Sequence, residues 1–264
     1  MHPKPLDPEF ILTNSPLESI RYLEEVGSTN DVAKQLVQSD RSVSLPALVV
    51  ADVQTHGRGR SGKTWWSEPG SLVLSLIVDS SSVQHPGLIA CAVALGITKA
   101  IREQHRKLDA QIKWPNDVYV EARKVAGVLI ETVSNQPNAS TAIIGIGINL
   151  NCDLSMAPTE LIGSAGSLMD LSGVASDPND FLCRLISSIT KYLDDMKSES
   201  TQCLNEYTNA TLFLPGSKIL VTLPNGNKVN GTYAGIGSIG QLLIDSEEQR
   251  IEVNSGTVDQ FTFR

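Results

Sequence analysis

Cysteine is scarce in this chain of 264 residues: Cys91, Cys152, Cys183 and Cys203 lie far apart and form no C-x-x-C pair. That spacing argues against a structural zinc site and a disulfide framework, and fits a reducing compartment, the cytoplasm. Positive charge is also short. Lys and Arg number 21 against 29 Asp and Glu, a formal net charge of -8, whereas nucleic acid and acidic membrane surfaces attract a summed positive field. No apolar run reaches membrane-spanning length. Met1 to Phe10 carries three prolines and no apolar core, unlike a signal peptide. Without a secretion signal, the short sequons at Asn138 and Asn209 carry little weight. Repeats and low-complexity tracts are missing too. What remains, 41% hydrophobic and 19% charged, is enough for one sizeable core and a small second unit.

Against this acidic background one basic segment stands out. Gly57-Arg58-Gly59-Arg60-Ser61-Gly62-Lys63-Thr64 matches the P-loop pattern G-x-x-x-x-G-K-[ST]. A P-loop needs a helix opening at its lysine, so that backbone N–H groups converge on phosphate. Here Trp65-Trp66-Ser67-Glu68-Pro69-Gly70 follows instead, then the β-leaning run Leu72 to Val78. The gap is too short for a crossover helix. The segment therefore reads as a flexible loop with three cations, Arg58, Arg60 and Lys63, able to close over an anion in another way.

Along the chain, Ser28 with Asp31 makes a capping pair for a short helix carrying Val32, Ala33, Leu36 and Val37. Ala47 to Val53 and Leu72 to Val78 read as strands, and Leu88 to Ile101 as a buried helix. Strand candidates follow at 111–114, 118–120, 125–132 and 142–150, with a polar loop around Pro137. Asp177-Pro178 caps a helix whose apolar face runs from Phe181 to Met196. Past Pro215 the texture turns to short β pieces around an Asn225-Gly226 turn, which suits a small β-barrel. The expected division is 1–213 and 214–264.

Four clusters could carry chemistry, each with a plain alternative. Gly27-Ser28-Thr29-Asn30-Asp31 is a helix cap, or a set of donors and acceptors for a small amide-like ligand. Gln54 with the glycine–arginine loop is a solvated surface loop, or an anion-binding lid in which guanidinium groups pair bidentately with carboxylate or phosphate. Lys113-Trp114-Pro115-Asn116-Asp117, leading to Lys124-Val125-Ala126-Gly127, is a hairpin turn and strand end, or a fixed cation in a pocket. In Gly145-Ile146-Gly147-Ile148-Asn149-Leu150, alternating glycines point to close approach of another backbone or a planar ligand. It lacks the third glycine and helix of a dinucleotide fingerprint.

Taken in order, Ser28-Thr29-Asn30, Gly57-Arg58-Gly59-Arg60, Lys113-Trp114-Pro115-Asn116-Asp117, Lys124-Val125-Ala126-Gly127 and Gly145-Ile146-Gly147-Ile148-Asn149 resemble the successive motifs of biotin protein ligases. The resemblance covers roughly the whole chain. It implies an α/β (α+β) catalytic domain related to class II aminoacyl-tRNA synthetases and lipoate ligases. That domain would have a mixed, mainly antiparallel sheet and a C-terminal SH3-like β-barrel. It also implies ATP, biotin and Mg²⁺. Biotin and ATP would form biotinyl-5′-AMP, and biotin would then pass to a specific lysine of a biotin carboxyl carrier protein. By matching position, Ser28, Thr29, Asn30 and Gln54 would contact the biotin head. Arg58, Gly59 and Arg60 would lie in the loop over biotin and adenylate, and Lys124, beside Gly127, at the carboxylate and phosphate. Trp65 and Asn149 would flank adenine, and Asp117 would be linked to metal or to the acceptor lysine. The resemblance leaves the metal ligands unidentified.

Ser61 and Lys63 stand where members often have arginine. Only 27 residues precede Ser28, so the winged-helix domain of members that also act as repressors is expected to be missing. Rival readings are a lipoate or octanoate ligase, a non-catalytic biotin sensor and a P-loop ATPase. A homodimer stays open.

Overall fold

The computed structural model describes residues 4–39, 43–81, 83, 85–136, 139–247 and 249–261. The Pro137 loop, the Asn138 sequon and the first three residues lie outside these. A seven-stranded sheet holds the chain together. Its strands are β1 (Ser19–Val26), β2 (Ala47–Gln54), β3 (Leu72–Asp79), β4 (Gln111–Lys113), β5 (Asp117–Val120), β6 (Arg123–Gln136) and β7 (Ala139–Ile148). They lie in the order β1-β2-β3-β7-β6-β5-β4. Only β1 and β2 run parallel; the other neighbours are antiparallel. The expected mixed, mainly antiparallel sheet is therefore present.

The two faces of this sheet do different work. Side chains alternate along a strand, so Leu72, Leu74, Leu76 and Val78 of β3 join Ala142, Ile144, Ile146 and Ile148 of β7 in one core. Helices α3 (Pro86–Gln104) and α5 (Pro178–Ser198) belong to that core through Ile89, Val93, Ile97, Phe181, Leu185 and Ile189. The opposite face meets α2 (Thr29–Ser39), where Ala33 and Val37 pack with Val49, Ile77 and Ile143. Beyond the helix, that face is lined by Ser75, Gly145 and Gly147, and there the sheet is open to a ligand.

Asp177 caps α5 as expected, its side chain accepting from the Asn179 N–H, with Pro178 in the first turn. The β5–β6 turn is made by Glu121 and Ala122, at φ of 49° and 63°. Five elements have no counterpart in the sequence reading: α1 (Pro8–Thr13), β1, α4 (Leu168–Ser172), α6 (Ser200–Ala210) and the last strand, β12 (Thr257–Phe261). The helix at 29–39 does form, but without the Ser28–Asp31 capping pair. Asp31 is engaged by Arg58 instead, and the Thr29 N–H is received by Gln54 Oε1 at 2.7 Å.

A second, antiparallel sheet contains β8 (Lys218–Thr222), β9 (Lys228–Ile236), β10 (Leu242–Asp245), β11 (Arg250–Val253) and β12 in the order β11-β10-β9-β8-β12. It packs beside β4, at the end of the main sheet. Trp114 Nε1 donates to Gly240 O at 3.0 Å, and the Phe213 ring meets Tyr233 and Phe261 edge-on. A methyl group at Gly87 would collide with the Ile239 carbonyl, so only glycine admits this close approach.

Candidate active site

The open face of the main sheet floors a cavity of about 340 Å³. The residues to which the resemblance gives roles all reach it: Ser28, Thr29 and Asn30 from the start of α2, Gln54 from β2, and Arg58, Gly59, Arg60 and Trp65 from the basic loop. Asp117, Lys124 and Gly127 come from β5 and β6, and Asn149 from the end of β7. The topology explains this convergence, because β2, β3, β7, β6 and β5 are sequential neighbours across the sheet.

One end of the cavity is neutral and densely hydrogen-bonded. Thr29 Oγ1 lies 3.0 Å from Gln54 Oε1 and 2.8 Å from Ser75 Oγ, which in turn donates to Asn30 Oδ1 at 2.6 Å. Asn30 Nδ2 donates to Glu131 Oε2 at 2.8 Å, and Lys34 Nζ lies 2.6 Å from Glu131 Oε1. Burial pushes the Glu131 carboxyl up, yet the bonds from Lys34 and Asn30 and the charge of Arg58 outweigh it, so the group is held below its ordinary value. Asn30, Thr29 and Ser75 are buried. A Cβ on Gly145 would sit 2.5 Å from Asn30 Oδ1, and one on Gly147 would strike the Trp65 indole. The close neighbours anticipated at these glycines are thus two side chains of the chain itself.

The other end is cationic. Lys124 Nζ pairs with Asp117 Oδ1 at 2.8 Å and stands 5.7 Å from the Trp65 ring centroid. Arg60 donates to Asn116 Oδ1 at 3.0 Å and to Ser255 Oγ at 2.9 Å, linking the basic loop to the second sheet. Burial lowers the pKa of Arg60 and of Lys113; for Lys113 the neighbouring charges of Lys124 and Lys63 act in the same direction. Asp117 is the one carboxylate among the described lining residues. Cations gathered with so little counter-charge favour an anionic ligand, which would relieve both burial and mutual repulsion.

The basic loop is not a P-loop. Residues Arg60–Gly62 make a single 3₁₀ turn with Ser61 at φ 55°, ψ 37°, and Lys63 is extended at φ -71°, ψ 148°. No helix opens at the lysine. An Arg58–Thr64 bridge closes the loop, and Trp65 N–H donates to Gly57 O at 2.9 Å. Nor is Arg58 a free loop cation: its Nη2 lies 2.7 Å from Asp31 Oδ1 and 3.1 Å from Glu131 Oε2.

Asn149 is held by its backbone N–H to Val125 O at 2.9 Å and by Nδ2 to Gly166 O at 3.1 Å, leaving Oδ1 as an acceptor. The Lys124 backbone brackets the same segment, bonding Ser164 O and the Gly166 N–H. Trp65 Nε1 is buried with no partner among the described residues, so a ligand acceptor would complete it.

Several contributors were not singled out from the sequence. Glu131 carried a signal, a lone carboxylate in the apolar run Val128-Leu129-Ile130, whereas Ser75 did not. Glu131 and Ser75 stand behind the lining, whereas Thr257 and Val258 are in it, brought there by packing of the second sheet.

The comparisons agree with this geometry. Residues 22–149 match the model of the biotin/lipoate A/B protein ligase family. A biotin–[acetyl-CoA-carboxylase] ligase of Mycobacterium tuberculosis is 29% identical over 257 residues, covering 95% of this chain and 92% of the relative. A bifunctional ligase/repressor of Bacillus subtilis is 29% identical over 90% of this chain and 73% of its own length. Among solved structures, biotin protein ligase from Aquifex aeolicus in complex with biotin and ATP superposes with a TM-score of 0.80. The two are 28% identical, and the match covers 93% of this chain and 100% of that one. Residues 22–149 thus carry a biotin/lipoate A/B protein ligase domain, and over nearly its whole length the chain is similar to biotin protein ligases.

Proposed function

We propose that the chain joins biotin to ATP as biotinyl-5′-AMP and then transfers biotin to a specific lysine of a biotin carboxyl carrier protein or domain. The single observation that carries this reading is the polarity of the cavity. A neutral hydrogen-bonding end around Thr29, Asn30 and Gln54 faces a cationic end around Arg60, Lys113 and Lys124. A ligand with an amide-like head, an apolar middle and a carboxylate tail fits that sequence of surfaces. The Aquifex relative is described with both biotin and ATP bound.

The chemistry follows from charge. The biotin carboxylate oxygen attacks the α-phosphorus of ATP, the bond to the β-phosphate oxygen breaks, and pyrophosphate leaves. Two anions must meet, so Lys124, Arg60, Lys63 and Lys113 lower the electrostatic cost of approach. Lys124 lies at the carboxylate and phosphate, and Asp117 keeps its ammonium aimed. Trp65 and the Asn149 Oδ1 acceptor suit a purine ring bearing an amino group. In the second step the amine of the acceptor lysine attacks the acyl carbon and AMP leaves. Mg²⁺ would neutralise phosphate charge. Asp117 and Asn116 are the oxygen-bearing side chains beside the cations, and no three-residue acidic or His/Cys cluster occurs among the described residues. Asp117 and Asn116 would hold the ion, which would supply positive charge beside the phosphates.

As parts of the same reading, residues 1–213 form a catalytic domain like that of class II synthetases, and residues 214–264 an SH3-like domain. The protein works in the cytoplasm, apart from nucleic acid and membrane. No helix among the described residues is long and apolar enough to cross a membrane, and the four cysteines are buried and unpaired. The test is transfer of labelled biotin to a carrier-domain peptide, with ATP omitted as control. Incorporation that persists without ATP, or none with it, refutes the proposal. Titration with biotin and with lipoate separates this reading from a lipoate ligase.

A further inference from the structure

Glu131 is a charged residue for which the reaction itself has no use. It lies on the cavity side of β6, two alternations beyond Gly127, between α2 and the basic loop. Its side chain is only 20% exposed. Oε1 faces Lys34 Nζ, and Oε2 takes Asn30 Nδ2 at 2.8 Å and Arg58 Nη2 at 3.1 Å.

A carboxylate only accepts, so Asn30 must turn its NH₂ toward Glu131 and its Oδ1 toward Ser75 Oγ, 2.6 Å away. A carbonyl oxygen cannot donate, so the single Ser75 proton is committed to Asn30. Thr29 Oγ1 lies 2.8 Å from Ser75 Oγ and 3.0 Å from Gln54 Oε1. With the Ser75 proton committed, the Thr29 hydroxyl donates to Ser75 Oγ or to Gln54 Oε1, and in either setting its oxygen is left to accept. Gln54 Oε1 receives the Thr29 backbone N–H at 2.7 Å, a donor that cannot turn, so the backbone fixes that amide. The Gln54 NH₂ is left to donate. The directions of Asn30 and Ser75 are thus dictated by one negative charge, and that of Gln54 by the backbone.

We propose that Glu131 is a positioning residue whose charge fixes the donor and acceptor polarity of Asn30 and Ser75, so that Ser75 does not donate to the Thr29 oxygen, and through them the selection of the ligand's head group. The inference rests on the assignment of this end of the cavity to the biotin head. A cyclic urea presents N–H donors beside a carbonyl acceptor, and a Thr29 oxygen left free to accept matches one of those donors. A pocket whose amides and hydroxyls could flip would admit the mismatched setting as well, and would bind correspondingly less tightly.

The test uses Glu131→Gln, which keeps shape but can present either amide end, and Ser75→Ala, which cuts the chain in its middle. Biotin affinity is measured by calorimetry without ATP. Each single substitution is expected to weaken binding by about tenfold or more. The double variant is expected to be no weaker than the worse single one, with KM for ATP unchanged. Fully additive losses, or wild-type affinity in Glu131→Gln, would overturn the proposal. Side-chain amide resonances of the ligand-free protein give an independent measure. The Asn30 NH₂ signals are expected to divide into two populations in Glu131→Gln, where that amide can sit either way round, and a single unshifted pair of signals also refutes the inference. If the wild-type protein does not bind biotin, the functional assignment fails, and the resonances still judge the polarity of the chain.

Discussion

Lys124 Nζ is held 2.8 Å from Asp117 Oδ1 while standing over the Trp65 ring, so this ammonium is aimed before any ligand enters. Its backbone is fixed as well, by the bonds to Ser164 and Gly166. A preoriented cation at a site of developing charge costs no reorganisation during the reaction. Lys124→Ala is therefore expected to lower adenylate formation by on the order of 10²-fold or more. Asp117→Asn, which leaves the ammonium in place, is expected to cost less. Pyrophosphate release measures both. Wild-type release from Lys124→Ala would remove the lysine from the mechanism, and an equal loss in Asp117→Asn would shift the decisive role to the carboxylate.

Arg60 has a different task. It ties the basic loop to Asn116 and to Ser255 of the second sheet, and so spans the cationic end of the cavity. Arg60→Gly is expected to slow adenylation less than Lys124→Ala but to let the adenylate escape. Free adenylate in solution, measured by chromatography after one turnover, is expected to rise. Ser255→Ala, which cuts one of the two anchors, is expected to change release in the same direction and by less. No increase in either variant rules out a retaining lid.

The site was more legible in the sequence than the edges of the fold. Motif order singled out the residues because chemistry restricts the type at each position: Lys124, Asn149 and the loop arginines all line one cavity. Rejection of the P-loop also followed from local rules, since two tryptophans and a Pro-Gly turn leave no room for a helix after Lys63. β1 escaped notice because it is an edge strand, Ser19–Val26, whose Arg21, Glu24 and Glu25 break the apolar pattern that marks inner strands. α6 is nearly as polar as a loop, and is held by Tyr207 and Leu204 against the core. The pairing of Arg58 with Asp31 and Glu131 joins residues 27 and 73 positions apart, and no local rule reports such a contact.

Gly147 tests how closely the site is packed. It lies opposite Gly127 on β6, and an added methyl group would meet the Trp65 indole. Gly147→Ala is expected to push Trp65 toward the nucleotide and weaken ATP binding. An accompanying stability cost of about 1–3 kcal/mol is typical of overpacking. Intrinsic fluorescence would follow the indole, and calorimetry the nucleotide. Unchanged emission together with unchanged affinity would show that the sheet yields instead.

The pH dependence of stability should carry the signature of Glu131. Burial alone would raise its pKa from the ordinary 4.5, but Lys34, Asn30 and Arg58 bring it below that value in the folded protein. The unfolded chain thus takes up a proton first as pH falls. The stabilisation from Glu131 is complete above about pH 4.5 and is lost as pH falls through the lower, folded-state value. Asp31 is a second carboxylate on Arg58, so the comparison must be with Glu131→Gln rather than with wild type at neutral pH. Urea unfolding from pH 7 to pH 3 is expected to show a constant gap between the two proteins down to about pH 4.5, then a narrowing. A gap that keeps its full size at pH 3 would mean that the carboxylate contributes shape rather than charge, and the electrostatic account of Arg58, Lys34 and Asn30 would fall with it.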